Sequence, residues 1–335
     1  MKVKWGEVVT MALLAALAGW AYLGKIYGWH HGFVFPSWLS AVVLILAALS
    51  LGWILFLTIG GKMIERRIVF LYVGVAISLP LFMSIKQEIP VSAEVQTVYD
   101  ELVRLPVGSK VLISFDYDPA SAPELQPQAE AFIAECFARD LKVIIMGLWP
   151  QGPQLANQAV ERVLQRDDFK GNNIQYGVDW VNLGFQTGNE FVIQRMGTSF
   201  QSMFKTDYSG TAYEDLPLVR NVKNFDAIDY SMNLSSGFPG TVEWVQVAVD
   251  RYGLRMGAGN TAVQAPTVYP YLGNQLKGLM GGMSGAAEFE QVSSRPDKAT
   301  RFMLSQSLAH VIVMAFIIIG NVAFFRSGRK SALKG

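Results

Sequence analysis

The chain has 335 residues, 51% of them hydrophobic, a mean hydropathy of +0.27 and a formal net charge of +1. That apolarity excludes an ordinary soluble protein, and the near-zero charge gives no clustered Lys and Arg for nucleic acid. One cysteine, Cys136, excludes an internal disulfide framework, and within AFIAECF it reads as a small buried residue rather than a reactive thiol.

The hydrophobicity is concentrated, so the pattern predicts a membrane unit plus one globular domain. Residues 1–87 hold three apolar runs of the length a bilayer requires, about 8–23, 38–59 and 68–85. The first follows Lys2 and Lys4 and contains Ala16-Leu17-Ala18, an A-x-A-like site, so it also fits a signal sequence. The loop from Gly24 to Ser37 carries Tyr27, Trp29, Phe33 and Phe35, rings suited to the headgroup level, beside His30 and His31. With no further ligand nearby, that histidine pair reads as interfacial rather than as a metal site. Pro80 predicts a kink or a frayed outer end in the third span.

Residues 88–301 read as an α/β domain. After an amphipathic stretch from Val91 to Leu105, apolar strand-like runs alternate with helical patterns. Five units follow: Lys110–Phe115 with a helix over Glu124–Arg139, Lys142–Leu148 with Gly152–Gln165, Trp180–Phe185 with Asn189–Met203, Ala227–Leu234 with Thr241–Tyr252, and Leu254–Val263 with Tyr271–Gln291. Repeated β-then-α units predict a doubly wound parallel sheet with right-handed crossovers, Rossmann-like in layout. Tyr208 to Asn224 is an irregular excursion, long enough for a lid, an interface loop or a β-arm.

Ligands of such sheets sit beyond the carboxyl ends of the strands, which makes Asp116, Asp118, Gln151, Asn189, Ser235 and Asn260 the candidate polar-ligand contacts. Asp116 and Asp118 form D-x-D after an apolar strand, the placement of a magnesium-dependent hydrolase's nucleophile and acid. The placement resembles that of haloacid-dehalogenase-type phosphatases, which also need a downstream basic residue and a second acidic cluster at a later strand end. Gly257-Ala258-Gly259-Asn260 stands where that cluster should be, and a turn- or helix-capping role competes. No histidine lies between Glu88 and Arg301, so the domain lacks an imidazole base and a zinc cage. These features point away from an enzyme without closing off the carboxylate pair, and no cofactor or metal is expected. Gly257-Ala258-Gly259-Asn260-Thr261-Ala262 fits the dinucleotide pattern G-x-G-x-x-A, yet it comes late in the domain and is followed by Pro266, so it reads as a turn or bulge. Gly278, Gly281, Gly282 and Gly285 fall at i, i+3, i+4 and i+7 of the helix expected over Tyr271–Gln291. That spacing predicts a smooth stripe packed on the domain's own sheet or on another subunit.

Residues 302–335 supply the fourth span, about 303–325, and a basic tail. None of the four spans contains Asp, Glu, Lys or Arg, which argues against an ion or proton pathway within this chain. Gln306, His310 and Asn321 lie within about 60° of one another at 100° per residue, a polar strip that in lipid should face another helix. Lys2 and Lys4, then Lys62, Arg66 and Arg67, then Arg326, Arg329, Lys330 and Lys334 all fall on one side if both termini are cytoplasmic. The positive-inside rule then places residues 88–301 outside the cell membrane.

LWPQGP, DWVNLGFQTGNE and LKGLMGGMSGAAEFE together resemble a prokaryotic family of multi-pass membrane proteins with an extracytoplasmic Rossmann-like domain. The resemblance covers most of residues 110–325 and implies architecture only, with no assigned activity. The expectation is a non-enzymatic integral membrane subunit, its partners being lipid and other membrane subunits or further copies of itself. The alternatives are an outer polar-ligand binding or sensing module and a hydrolase using Asp116 and Asp118.

Overall fold

The computed structural model describes residues 37–59, 66–78 and 88–332. Two compact units emerge, one from residues 1–87 with 301–335 and the other from Glu88 to Thr300. Helices α1 (Ser37–Ile59) and α2 (Arg66–Ser78) belong to the first.

The second unit opens with α3 (Ala93–Arg104), followed by β1 (Lys110–Asp116), α4 (Ala122–Ala138), β2 (Lys142–Gly147), α5 (Gly152–Leu164) and β3 (Trp180–Phe185). Helices α6 (Glu190–Met196) and α7 (Phe200–Met203) lead into an irregular segment, and β4 (Tyr230–Ser235) follows. Helix α8 (Thr241–Trp244) continues through a π-helical turn, Val245–Val249, into α9 (Asp250–Tyr252). Then come β5 (Met256–Asn260), α10 (Ala265–Val268), β6 (Leu276–Gly281), α11 (Gly282–Val292) and α12 (Lys298–Ala332).

All six strands pair in parallel, in the order β3-β2-β1-β4-β5-β6. Helices cover both faces, which is why KVLISF and KVIIMG are apolar almost without interruption. One core joins α3, α4, α5 and α11 to the sheet through Val98, Phe132, Val160 and Phe289. The other holds Leu112, Phe200, Phe225, Trp244 and Val268 beneath α6–α10 and the irregular segment. Strands are added in one direction from β1 to β3 and in the opposite direction from β4 to β6, which puts the switch point between β1 and β4.

The sixth strand corrects the expected helix over Tyr271–Gln291. Leu276–Gly281 is extended, and only Gly282–Val292 is helical. Gly278, Gly281, Gly282 and Gly285 therefore form no helical stripe. Gly278 has φ +99° and lies where the β5–β6 register slips between Met256 and Ala258. A Cβ at Gly278 would meet the Val98 backbone nitrogen at 2.7 Å, so the bare backbone lets α3 lie against β6. Gly281 ends β6 beside Ala265, Gly282 starts α11 beside Ala262, and Gly285 faces the Met280 backbone. All four serve packing within the domain.

The G-x-G-x-x-A segment, expected as a turn or bulge, begins as strand, and the register slip with β6 falls at Gly257. Gly257 and Gly259 lie inside β5, and a Cβ on Gly259 would come within 2.3 Å of Gln128 Oε1 from α4. The helix expected over Asn189–Met203 divides into α6 and α7, separated by Gly197 to Ser199.

Two stretches are long and apolar enough to cross a bilayer, Ala41–Thr58 in α1 and Lys298–Phe325 in α12. Only 6% and 11% of these windows are buried, unlike the core helix of a soluble domain. Four spans were expected; the described residues contain two. Helix α2, with 13 residues, reaches about 20 Å at 1.5 Å per residue, short of a hydrocarbon core of about 30 Å. The rest of that expected span, the whole of the first expected span, and His30 and His31 lie outside the described residues.

The start of α12 is held by a buried carboxylate. Glu290, 2% exposed, accepts the amides of Asp297, Ala299 and Thr300 at 2.8, 3.0 and 2.9 Å, and the Thr300 hydroxyl at 2.7 Å. These are the N–H groups that a helix start leaves without intrahelical partners. Lys298 of the same turn donates to Glu130 at 2.8 Å, and Arg162 reaches the other Glu130 oxygen at 2.7 Å.

Candidate functional site

The strand register assembles the site. Asp116 of β1 stands opposite Ser235 of β4, which stands opposite Asn260 of β5, in one row at the carboxyl ends. Two residues back, Ser114 stands opposite Asn233. Because side chains alternate along a strand, Ser114, Asp116, Ser231, Asn233, Ser235 and Asn260 share the sheet face covered by α8. All six are fully buried.

Asp116 is the endpoint of a continuous run of hydrogen bonds. Asn260 Nδ2 donates to Thr241 Oγ1 at 2.9 Å, the Thr241 hydroxyl donates to Asn233 Oδ1 at 2.7 Å, and Asn233 Nδ2 donates to Asp116 Oδ2 at 2.6 Å. Trp244 Nε1 reaches the same Oδ2 at 3.0 Å. Asp116 Oδ1 accepts the Ser114 hydroxyl at 2.8 Å and the Leu148 amide at 2.7 Å. Each carboxylate oxygen thus receives two donors. Bonds oriented in one direction polarise one another, which strengthens the run.

Burial pushes the Asp116 carboxyl up from 3.8 to about 6, overriding the four donors that favour the charged form. The crevice above it is closed by the chain itself. Trp149 Nε1, from the segment after β2, donates to the Pro239 carbonyl after β4 at 2.9 Å. Ser236 N donates to the Asp116 carbonyl at 3.2 Å, and Gln264 Nε2 donates to the Gly237 carbonyl at 3.2 Å. The last residue of β1 and the segments following β2, β4 and β5 therefore meet over the topological switch point, the usual ligand crevice of such sheets.

The six predicted contacts separate into two groups. Asp116, Ser235 and Asn260 are fully buried: Asp116 and Asn260 are linked through Asn233 and Thr241, and Asn260 Nδ2 lies 3.3 Å from the Ser235 carbonyl. Gln151 and Asn189 are exposed on separate loops, and half-buried Asp118 accepts the Ser121 amide at 3.2 Å in a local turn. Asp116 and Asp118 thus do not form a matched pair of ligands. A magnesium ion on Asp116 would have to displace neutral donors that already fill its oxygens, so the donor set does not fit that metal. No group of three or more His, Cys, Asp or Glu positioned for a metal occurs among the described residues.

Asn233, Thr241 and Trp244 went unrecognised in the sequence, although Ser231, Asn233 and Ser235 alternate with apolar residues along β4. That alternation marks a polar sheet face. Two shallow grooves lie away from this network. One, of about 360 Å3, includes Ser199, Lys205 and Tyr213; the other, of about 270 Å3, includes Ser92, Glu94, Tyr269 and Glu288.

Large apolar side chains stand exposed on segments at the carboxyl ends of β3, β4 and β5. They are Phe185 at 38%, Phe191 at 60%, Phe238 at 64%, Val263 at 88% and Tyr269 at 56%. In the first unit, Gln306, His310 and Asn321 are exposed on α12.

No protein-family model, curated protein or solved structure matches this chain.

Proposed function

We propose that the protein is a non-enzymatic integral membrane subunit of a larger assembly, and that its α/β domain makes protein contacts outside the membrane. In this reading the chain crosses four times, both termini are cytoplasmic, and residues 88–301 are extracytoplasmic. The two long apolar helices and the three basic clusters support the membrane assignment and its orientation.

The contact role rests on the exposed apolar side chains Phe185, Phe191, Phe238, Val263 and Tyr269 at the carboxyl ends of the strands. Where a ligand-binding sheet keeps a polar crevice at its switch point, this domain buries the Asp116 network there and presents aromatic and aliphatic side chains on the loops around it. Such residues characterise the desolvated centre of a protein interface. The hydrolase and ligand-binding readings draw less support because Asp116, Ser235 and Asn260 are already bonded internally.

Chemical cross-linking in native membranes, followed by purification in mild detergent, tests the proposal. Partner chains should be recovered with the wild type, and their yield should fall at least tenfold with Phe238→Asp and Val263→Asp while the unfolding temperature is unchanged. A chain recovered only as a monomer, with no cross-linked partner, overturns it.

A further inference from the structure

On α12, Gln306, His310, Val313, Ile317 and Gly320 follow one another at intervals of four, three, four and three residues. That is the a/d spacing of a left-handed coiled coil. The whole row is exposed: Val313 is 41% and Ile317 57% accessible, and a Cβ on Gly320 would meet nothing within 4 Å. Asn321, beside Gly320, turns one amide hydrogen back to the Ile317 carbonyl at 2.9 Å, leaving its oxygen to accept.

The helix uses a different face within its own chain. Ser305, Ile312 and Ile319 are buried at intervals of seven, and Phe316 meets Tyr72 of α2 edge-on at 5.6 Å. At 100° per residue the buried row lies about 120° from the exposed one. Among the described residues no hydrogen bond reaches the side chains of Gln306 or His310. In hydrocarbon an unpaired amide or imidazole is costly, and contact with lipid tails cannot relieve it.

Gln, His and Asn side chains each both donate and accept, so each can pair with its own copy across a two-fold axis. Two copies inserted in the same orientation necessarily present α12 in parallel, which brings like residues level. We propose that Gln306, His310, Val313, Ile317 and Gly320 form the seam of a parallel homodimer, the occupant being α12 of a second copy. This rests on the reading above that α12 spans the membrane.

Single cysteines placed in the full-length chain and oxidised in native membranes test the seam, since the native Cys136 is buried. Gln306→Cys, Val313→Cys, Ile317→Cys and Gly320→Cys should give disulfide-linked dimers of this chain. Val311→Cys and Ile318→Cys, at positions 53% and 60% exposed but off the seam, should give at least fivefold less. Two differently tagged copies expressed together should co-purify, and the combined change Gln306→Leu, His310→Leu and Asn321→Leu should lower their recovery about tenfold with the helix content unaltered.

Equal cross-linking on and off the seam overturns the inference. If the seam cysteines link only to a different membrane protein, the homodimer is wrong and the assembly reading stands. If they link to nothing and no partner is recovered by any reagent, both fall.

Discussion

Asn233 donates through Nδ2 to Asp116 Oδ2 at 2.6 Å, although the two residues are 117 positions apart. Pairing of β4 with β1 creates that bond, and Thr241 extends it by donating to the other end of the same amide. Asn233→Leu preserves the volume but strips one donor from a buried carboxylate and the acceptor from a buried hydroxyl. The cost should be about 3 kcal/mol, and the unfolding temperature of the full chain in detergent should drop by about 6–12 °C. Gln151→Ala, at an exposed position, should fall within about 0.5 kcal/mol of the wild type. A neutral Asn233→Leu would show that the buried network contributes nothing to stability.

The same carboxylate should give the domain a distinctive response to acid. Its folded pKa of about 6 lies above the unfolded value of 3.8, so between these pH values the native state keeps a proton that the unfolded chain has released. This group's contribution to stability therefore declines as pH rises from about 4 to about 6, by roughly 3 kcal/mol in all, and is level above that window. Glu290 is also raised by burial and acts with the same sign. Asp116→Asn should remove this group's share of the decline and leave that of Glu290, while costing about 1–3 kcal/mol at pH 4, because its amide hydrogens face donors. Unfolding temperatures of wild type and variant recorded from pH 4 to 7 should converge toward neutrality; parallel curves would exclude titration of Asp116 in this range.

Glu290→Ala should unravel the first turn of α12. Three amides and one hydroxyl lose their acceptor, for a cost of about 1–2 kcal/mol, in the range of a lost helix cap. Hydrogen exchange over residues 296–304 should quicken at least tenfold, while β1 and β4 keep their protection. Glu290→Gln should fall between, since its single oxygen can replace only part of the set.

Gly278→Ala separates two pictures of the same segment. In a helix, the change would stabilise by about 1 kcal/mol. At φ +99°, with the added methyl 2.5 Å from Val98 Cγ2 and 2.7 Å from a backbone nitrogen, it should destabilise by about 3 kcal/mol and loosen α3 from β6. Faster exchange in α3 and a lower unfolding temperature are the expected results.

That segment also shows why some of the fold was legible and some was not. The runs KVLISF, KVIIMG and WVNLGF announce buried strands because parallel strands covered on both faces are apolar at nearly every position. LKGLMG is just as apolar, but its glycines continue into a true helix at a spacing that imitates helical periodicity. A register slip at Gly278 is a tertiary event, set by how closely α3 approaches. The site was half legible for a related reason. Asp116, Ser235 and Asn260 were placed correctly at strand ends, but local sequence does not say that α8 returns across them. Trp244 and Thr241 turn a prospective rim into an interior.

Order of synthesis adds a constraint to the pairing of β1 with β4. When β1, β2 and β3 have left the ribosome, Asp116 still lacks Asn233 and Trp244, which come 117 and 128 residues later. Through that interval one long edge of β1 has no partner strand for its backbone N–H and C=O groups. The polar interior around Asp116 therefore cannot close until the chain has reached Trp244, so a chain cut short before β4 lacks the donors of Asn233 and Trp244 to its buried carboxylate.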